Sequence, residues 1–231
     1  MQDLHNRRQL FQSLACPDNC NTFGNYWHHR EQDCIIEPPA CGSSVRCWFD
    51  LNKGSKLFMS NIRLETDRLI LRNIDPERDF EAWARLMADE RTVQFLDGKV
   101  LDRALAWRNM AAIIGHWEIR GYGFFSVESR ETGEWLGRVG PWYPEGWPAP
   151  EIGWAICPGH WGHGYATEAA RASINYAFGE LGWSHIIHVI LAGNERSISV
   201  AKKIGSTYCR SQQGLPGVTA GEVVIYEQSG G

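Results

Sequence analysis

The amino-acid sequence predicts an α+β domain built on a mixed sheet, and three features of its pattern indicate this class. Three short strands follow one another over residues 124–157, and a tight turn joins the first two, which is typical of antiparallel pairing. One strand–helix–strand unit then covers residues 151–191, and such a crossover makes its two strands parallel. Two helices precede the strand run, so the chain does not alternate strand and helix as a doubly wound fold does.

The first predicted elements are a strand and two helices. Apolar and charged residues alternate within residues 64–73, which favours a strand. Asp75 and Pro76 then indicate a helix start, because Asp caps free N–H groups and proline fits the first helical position. The first helix has an apolar face made of Phe80, Trp83, Ala84 and Met87. A second helix, ended near Gly121, has the apolar positions Leu101, Ala104, Leu105, Ile113, Ile114 and Trp117.

The middle of the chain predicts three strands, at residues 124–128, 134–142 and 151–157. The turn 131–133 joins the first two strands. An unusual loop rich in proline and aromatic residues, at 141–150, separates the second from the third. Proline restricts this loop, so its aromatic rings would be held in fixed positions.

The last third of the chain continues with a helix over 165–179 and a nearly continuous apolar strand at 185–191. A strand without polar alternation is typical of one buried on both faces. A short helix at 194–204 stops at Gly205. The predicted order is β-α-α-β-β-β-α-β-α-β-β, in which the last strand covers 222–227 and the strand before it has no assigned bounds.

A glycine-rich turn at 159–164 leads from the third strand directly into the 165–179 helix. Free N–H groups at a helix start, with glycines that let a ligand approach, form an anion site whose natural ligand is a pyrophosphate. Thr167 adds a hydroxyl in the first turn. The alternative is that the glycines only make a tight turn. Two other phosphate loops are disfavoured. A nucleoside-triphosphate loop needs a lysine, which residues 159–168 lack, and the dinucleotide fingerprint has Thr167 where its third glycine belongs.

The same segment resembles the GNAT superfamily of N-acetyltransferases, in the branch typified by the ribosomal-protein-alanine acetyltransferases. The family's coenzyme-A signature, [Gln/Arg]-x-x-Gly-x-[Gly/Ala], falls on Trp161-Gly162-His163-Gly164-Tyr165-Ala166, with Trp in the first position. A second motif matches at Asn194, Ser197, Val200, Lys203, Ile204 and Gly205. This second motif departs from the usual pattern at Lys202, where an acidic residue is common, and at Ser206, where an aromatic residue is common. The resemblance covers roughly residues 62–228.

This resemblance implies a GNAT fold with a V-shaped splay between the strands at 151–157 and 185–191. It implies transfer of an acetyl group from acetyl-CoA to a primary amine, either a protein N-terminus or a small molecule, by direct attack in a ternary complex. No metal is expected. The alternative is a coenzyme-A-binding regulatory module that has lost catalysis. The residues that the resemblance assigns to coenzyme A are Trp154, Ala155, Ile156, Trp161, Gly162, His163, Gly164, Tyr165, Ala166, Thr167, Asn194 and Ser197.

The candidate catalytic residues are Glu151 and Ser197. Glu151 begins a strand that would line the cleft, so it is the candidate base that deprotonates the amine, the alternative being a solvated glutamate at a strand end. Ser197 is the candidate acid toward the leaving thiolate, and Tyr208 is its rival. A histidine base in the glycine-rich turn and a nucleophilic Cys157 are disfavoured, because the pattern indicates an exposed turn and a packed thiol.

The aromatic residues of the 141–150 loop are candidate acceptor contacts: Trp142, Tyr143 and Trp147. Held out by the prolines, they would form a rigid wall for the amine substrate. The alternative is a satellite cluster that covers the sheet edge.

Residues 1–58 differ in kind from residues 59–231, because they show no sustained apolar period. We expect a poorly ordered extension, with Met59 as a possible natural start and the acetyltransferase domain after it. Zinc binding is the alternative, although no pair of cysteines has the spacing of a zinc knuckle. The potential ligands are Cys16, Cys20, Cys34, Cys41, Cys47, His28 and His29.

Charge and hydropathy bear on the partners of the protein. The net charge of −4 makes a broad electrostatic interaction with nucleic acid unexpected. No apolar run reaches the length of a membrane span or a signal peptide. Seven cysteines, an odd number, disfavour a disulfide-stapled secreted domain. We therefore expect a cytoplasmic protein, a monomer or homodimer, that binds neither nucleic acid nor membrane.

Overall fold

The computed structural model describes residues 62–96, 98–215 and 218–230, so the predictions for residues 1–58 and for a start at Met59 lie outside the described residues. In the described part the strands are β1 (Arg63–Glu65), β2 (Leu69–Arg72), β3 (Phe125–Ser129), β4 (Trp135–Trp142), β5 (Glu151–Ile156), β6 (His185–Leu191), β7 (Thr207–Leu215) and β8 (Val218–Ser229). The α-helices are α1 (Pro76–Met87), α2 (Glu90–Val93), α3 (Arg103–Arg120), α4 (Tyr165–Gly179) and α5 (Glu195–Lys203), and a 3-10 turn covers Pro158–His160.

The described strands form one sheet of eight, in the order β1-β2-β3-β4-β5-β6-β8-β7. Neighbouring strands pair antiparallel except β5 and β6, which are parallel. The α+β class with a mixed, mostly antiparallel sheet is therefore confirmed. Within the described residues, no helix has both the length and the apolar character needed to cross a membrane.

The prediction of a single strand over 64–73 is wrong, because this segment is the hairpin of β1 and β2. The hairpin turns without glycine or proline. Thr66 makes the turn instead, since its N–H donates to the Leu69 carbonyl and its hydroxyl accepts from the Leu69 N–H, both at 3.0 Å. This side-chain bond replaces the turn signal that the sequence lacks.

The helices cover both faces of the sheet, and each face has its own apolar cluster. On one face α4 packs small residues against the sheet, and Ala169, Ala170 and Ala177 are fully buried there. On the other face α1 and α3 pack around Trp83 and Met110. Alanines let α4 approach the sheet closely, and this fixes the position of the helix start on which the site depends.

A buried ion pair joins α1 to the neighbouring strands. Asp79 is fully buried and accepts a bidentate pair of bonds from Arg72, at 2.9 and 2.6 Å. Its carboxylate also accepts from the hydroxyl of Ser126 at 2.6 Å and from the N–H of Asp75 at 2.9 Å. Because the buried charge is paired and fully hydrogen-bonded, it orients α1 without leaving an uncompensated group.

The predicted splay lies between β5 and β6. Their backbones pair only at Glu151 and Ile187, where the Ile187 N–H donates to the Pro150 carbonyl at 2.8 Å. Beyond that point side chains bridge the strands. The carboxylate of Glu151 accepts from the Val189 N–H at 3.1 Å, and His188 Nδ1 donates to the Ile152 carbonyl at 2.6 Å. These two bridges hold the strands apart and open a cleft at the centre of the sheet.

Candidate active site

A cavity of about 960 Å³ opens at the splay between β5 and β6. Its walls come from both strands, the start of α4, α5 and the 141–150 loop. All the residues assigned to coenzyme A line it except His163, whose ring stacks on Tyr165. The candidate catalytic residues Glu151 and Ser197 line it as well. The structure thus brings nearly all the predicted cofactor and catalytic residues to one cleft.

The edge of β5 presents backbone polar groups to this cleft. The carbonyls of Ile152 and Ile156 both point away from β4, since they accept from His188 and from the Trp161 indole. Backbone direction alternates along a strand, so the N–H and C=O of Trp154 point the same way. Trp154 therefore offers a donor and an acceptor to an extended ligand lying between the strands.

The glycine-rich turn gives the cleft an anion site. Gly162 and Gly164 both have φ near 82°, a left-handed conformation that favours glycine. Gly164 caps α4 without a side-chain hydrogen bond. The first N–H groups of a helix have no partner within the helix, so those at the start of α4 are available to an anion. Thr167 lines the same part of the cleft and adds a hydroxyl.

Trp161 stands where the family signature usually has Gln or Arg. Its indole N–H donates to the Ile156 carbonyl at 2.7 Å, so the ring fastens the glycine-rich turn to the end of β5. The guanidinium of Arg196 lies 4.6 Å from the ring centroid and also lines the cleft. Trp161 therefore holds the Arg196 guanidinium of α5 beside the glycine-rich turn through a cation–π contact.

Asn194 and Ser197 lie at the start of α5. The side-chain oxygen of Asn194 caps the helix by accepting from the Ser197 N–H at 3.1 Å, which leaves its amide NH₂ for a ligand. The Ser197 hydroxyl accepts from the Trp154 indole N–H at 3.2 Å and keeps its own proton to donate. The rival acid Tyr208 is exposed, packs edge-on against Tyr226 and does not line the cleft.

Glu151 is buried, with an exposed fraction of 6%, so its interpretation as a solvated glutamate at a strand end is wrong. One carboxylate oxygen accepts from the Val189 N–H and the other from the Trp147 indole at 2.7 Å. Burial raises the pKa of Glu151 from 4.5 to about 7, against the opposing effect of these two donors. A carboxyl group with a pKa near neutrality suits proton abstraction at physiological pH.

His188 is a site residue that sequence reasoning missed. Its Nδ1 donates across the splay to β5, and its Nε2 accepts from the Ser206 hydroxyl at 2.9 Å. Burial lowers its pKa to about 4, so the ring is neutral and structural. Ser206, one of the departures from the family pattern, supplies the partner that this ring needs. The histidine within the apolar strand was the available signal, since a buried polar residue requires a partner.

The three loop aromatics have different surroundings. Trp142 stacks on His116 at 4.4 Å and lines the cleft, and Trp147 lines it while it donates to Glu151. Tyr143 lies outside the lining, with Arg120 over its ring at 5.7 Å. His116 holds the loop in place. Its Nε2 accepts from the Tyr143 N–H at 3.3 Å, and its Nδ1 donates to the Tyr122 carbonyl.

The described residues show neither a nucleophilic thiol nor a metal centre in this region. Burial raises the pKa of Cys157 to about 11, so the thiol is protonated at neutral pH. Among the described residues, no group of three or more His, Cys, Asp or Glu side chains could hold a metal ion. The polar groups that line the cleft include the Glu151 carboxylate, the Thr167 and Ser197 hydroxyls and the Asn194 amide.

Residues 68–207 match the family model of the acetyltransferase (GNAT) domain, which covers more than half of the chain. The protein therefore belongs to the GNAT acetyltransferases, a family that transfers acetyl groups from acetyl-CoA.

Two relatives of at least 30% identity and one more distant solved structure illustrate what the chain is similar to. It is 34% identical over 157 residues to the uncharacterized protein YkkB of Bacillus subtilis, a match that covers 64% of this chain and 87% of YkkB. An acetyltransferase from Agrobacterium tumefaciens superposes with a TM-score of 0.66 at 30% identity, covering 75% of this chain and 98% of that one. RimL, a ribosomal L7/L12 α-N-protein acetyltransferase in complex with coenzyme A, shares the fold at 18% identity, with a TM-score of 0.61 and coverage of 73% and 98%.

Proposed function

We propose that the protein transfers an acetyl group from acetyl-CoA to a primary amine by direct attack within a ternary complex. The observation that supports this most is Glu151, a buried carboxyl group with a pKa of about 7 in the wall of the cleft. Carboxyl groups with such raised pKa values in the wall of a cleft are concentrated at functional sites, and this value suits the deprotonation of an amine near neutral pH.

The lining of the cleft fits the parts of acetyl-CoA. The N–H and C=O of Trp154 suit the amide groups of the pantetheine arm, which would extend β5 on its open side. The N–H groups at Gly162 to Thr167 suit the pyrophosphate. Asn194, with its amide NH₂, and Ser197, with its hydroxyl, line the same cleft and suit polar groups of the cofactor. RimL, which shares the fold, has a solved structure in complex with coenzyme A.

The amine enters as an ammonium ion, so two protons leave its nitrogen and one is supplied to the thiolate. Glu151 takes the first proton, directly or through a water molecule, and the nitrogen lone pair that is freed then attacks the thioester carbonyl. A backbone N–H of the β5 edge stabilises the oxyanion. The nitrogen of the tetrahedral intermediate then loses its second proton to solvent. As the intermediate collapses, the C–S bond breaks, and the Ser197 hydroxyl donates a proton to the leaving thiolate and regains one from solvent. The cleft increases the reaction rate further because it holds the two reactants together.

The amine acceptor enters beside the 141–150 loop. Trp147 stands over Glu151 and Trp142 lies in the same wall, so both flank the path to the base. Their flat apolar faces suit the carbon skeleton next to a primary amine, in a protein N-terminus or in a small molecule. Tyr143, outside the cleft lining, contributes to this wall only through the position of the loop.

An acetylation assay across a panel of amines, peptides and small molecules, tests the proposal. We expect release of coenzyme A that depends on the amine, together with thermal stabilisation by acetyl-CoA alone. Stabilisation without turnover on any amine would instead support a coenzyme-A-binding regulatory module. The absence of both stabilisation and turnover would reject the proposed function altogether.

A further inference from the structure

The turn between β1 and β2 reaches the start of α4 through one side chain, Arg68. Its Nη1 donates to the carbonyl of His163 at 3.0 Å. Its Nε and Nη2 contact the carboxylate of Glu168 at 2.7 and 2.6 Å. Its guanidinium also lies 4.8 Å from the centroid of the Tyr165 ring. Arg68 therefore contacts the glycine-rich turn and the first turn of α4 at three positions.

Arg68 does this from outside the catalytic cleft. It lines a separate, open groove of about 1050 Å³ on the far side of α4. Gly164 and Thr167 border both this groove and the cleft. Arg68 thus stands behind the N–H groups that suit the pyrophosphate, where it can set their position without touching the ligand.

The charge of Glu168, the ion-pair partner of Arg68, bears on anion binding at the start of α4. Its carboxylate accepts from the Thr66 hydroxyl at 2.6 Å and from the Arg68 N–H at 3.0 Å. Burial opposes its ionisation, but the bonds from Thr66 and Arg68 outweigh burial and hold the pKa of Glu168 below its usual value. Glu168 is therefore ionised, and it follows directly after Thr167 in the first turn of α4.

The N-terminal end of a helix carries a partial positive charge that attracts anions. An ionised carboxylate in the first turn interacts with this charge and so reduces what remains for an anionic ligand. Without a counter-charge it would repel the pyrophosphate. Arg68 supplies that counter-charge on the far side of the helix, and its bond to the His163 carbonyl fixes the turn in the conformation that presents its N–H groups.

We propose that Arg68 is a positioning residue for the pyrophosphate of coenzyme A: it fixes the glycine-rich turn and neutralises Glu168 behind it. This inference rests on the proposed function, because it assumes that the turn binds that group. It assigns a role in cofactor affinity to the β1–β2 hairpin, which lies outside the cleft.

Binding measurements on purified full-length protein test this role without knowledge of the acceptor. The dissociation constant of coenzyme A is measured by calorimetry, and that of pantetheine, which lacks the pyrophosphate, by NMR titration. For Arg68→Gln we expect the affinity for coenzyme A to fall about tenfold, because a charge-assisted contact is lost. Affinity for pantetheine stays the same. Arg68→Lys keeps the charge but not the three contacts, so it should give an intermediate value.

Two further variants separate positioning from general effects of charge. In Arg68→Gln combined with Glu168→Gln, part of the lost affinity should return, because the uncompensated carboxylate is gone. Arg63→Gln is the matched control, since this arginine lines the same groove and its ion pair among the described residues is with Glu65, not with α4. It should bind coenzyme A as the wild type does.

The outcomes distinguish the two proposals. Wild-type protein that fails to bind coenzyme A refutes the proposed function and this inference with it. Wild-type binding combined with an unchanged affinity in Arg68→Gln, or with an equal loss in Arg63→Gln, overturns the inference alone. An equal loss for coenzyme A and pantetheine also overturns it, since that result means general damage to the cleft.

Discussion

Replacement of Glu151 by Gln separates the two roles that the structure gives this residue. Gln keeps the size and an oxygen that accepts from the Val189 N–H, but it cannot take a proton from the amine. Its NH₂ group would face the Trp147 indole N–H, so one hydrogen bond is lost, a cost of about 1 kcal/mol. The variant should therefore fold while it lacks the base.

The expected kinetic effect follows from the pKa. With a pKa of about 7, wild-type kcat/KM for the amine should rise about tenfold per pH unit below neutrality and level off above it, since only the ionised carboxylate acts as a base. Glu151→Gln should lower the plateau by a factor of about 10²–10⁴, the usual contribution of a positioned base. Its profile should lose the break near pH 7.

The same pKa predicts the pH dependence of stability. The pKa of Glu151 in the folded protein, about 7, lies above its ordinary value of 4.5, so the unfolded chain releases this proton first as pH rises. The contribution of this group is complete below pH 4.5 and is lost as pH rises through 7, by about 3 kcal/mol in all. Urea unfolding of Glu151→Gln should lack this part of the pH dependence.

Glu131→Gln provides the control, because this glutamate lies exposed in the β3–β4 turn. It should change neither the profile nor the pH dependence of stability. Wild-type rates in Glu151→Gln would refute the assignment of the base. A reduced rate with the break near pH 7 intact would show that another group titrates there.

Three further substitutions test neighbouring contacts. Trp147→Phe keeps an aromatic wall but removes the donor that lowers the pKa of Glu151, so the midpoint of the pH–rate profile should move above 7; an unchanged midpoint would contradict the pairing. Asp79→Asn leaves its arginine partner buried without full compensation and should cost about 3 kcal/mol in urea unfolding, whereas a neutral effect would mean that the charge is dispensable. Ser206→Ala removes the donor to His188 and should cost about 2 kcal/mol, and a loss within error would show that a water molecule replaces the hydroxyl.

Much of the scaffold was predictable because its signals are local. The inner face of α4 and the glycine-rich turn were predicted from apolar spacing and glycine positions, and both lie where expected. The start of α1 is confirmed by the Asp75 cap, which accepts from two N–H groups of the first turn. The β1–β2 hairpin was missed because Thr66 closes it with its side chain, which composition does not reveal.

The environment of the base was less predictable, because it depends on contacts between distant segments. Glu151 begins its strand, a position usually solvated, yet Val189 and the proline-rich loop enclose it. The bridge from His188 to the Ile152 carbonyl joins residues 36 apart and exists only because the strands have separated. A single sequence carries no signal for either contact beyond the presence of a polar residue in an apolar strand.

The splay between β5 and β6 and the buried environment of Glu151 have the same structural cause. Where the backbones of β5 and β6 stop pairing, the Glu151 carboxylate takes the Val189 N–H that a strand carbonyl would otherwise accept. This position removes the carboxylate from water, which raises its pKa, while the two N–H donors lower it, and the balance lies near 7. The carboxyl therefore holds a proton taken from an amine more tightly than an ordinary glutamate would, but a pKa near 7 still lets that proton leave at neutral pH. A mutation that closed the splay would therefore remove the cleft and the tuned base together.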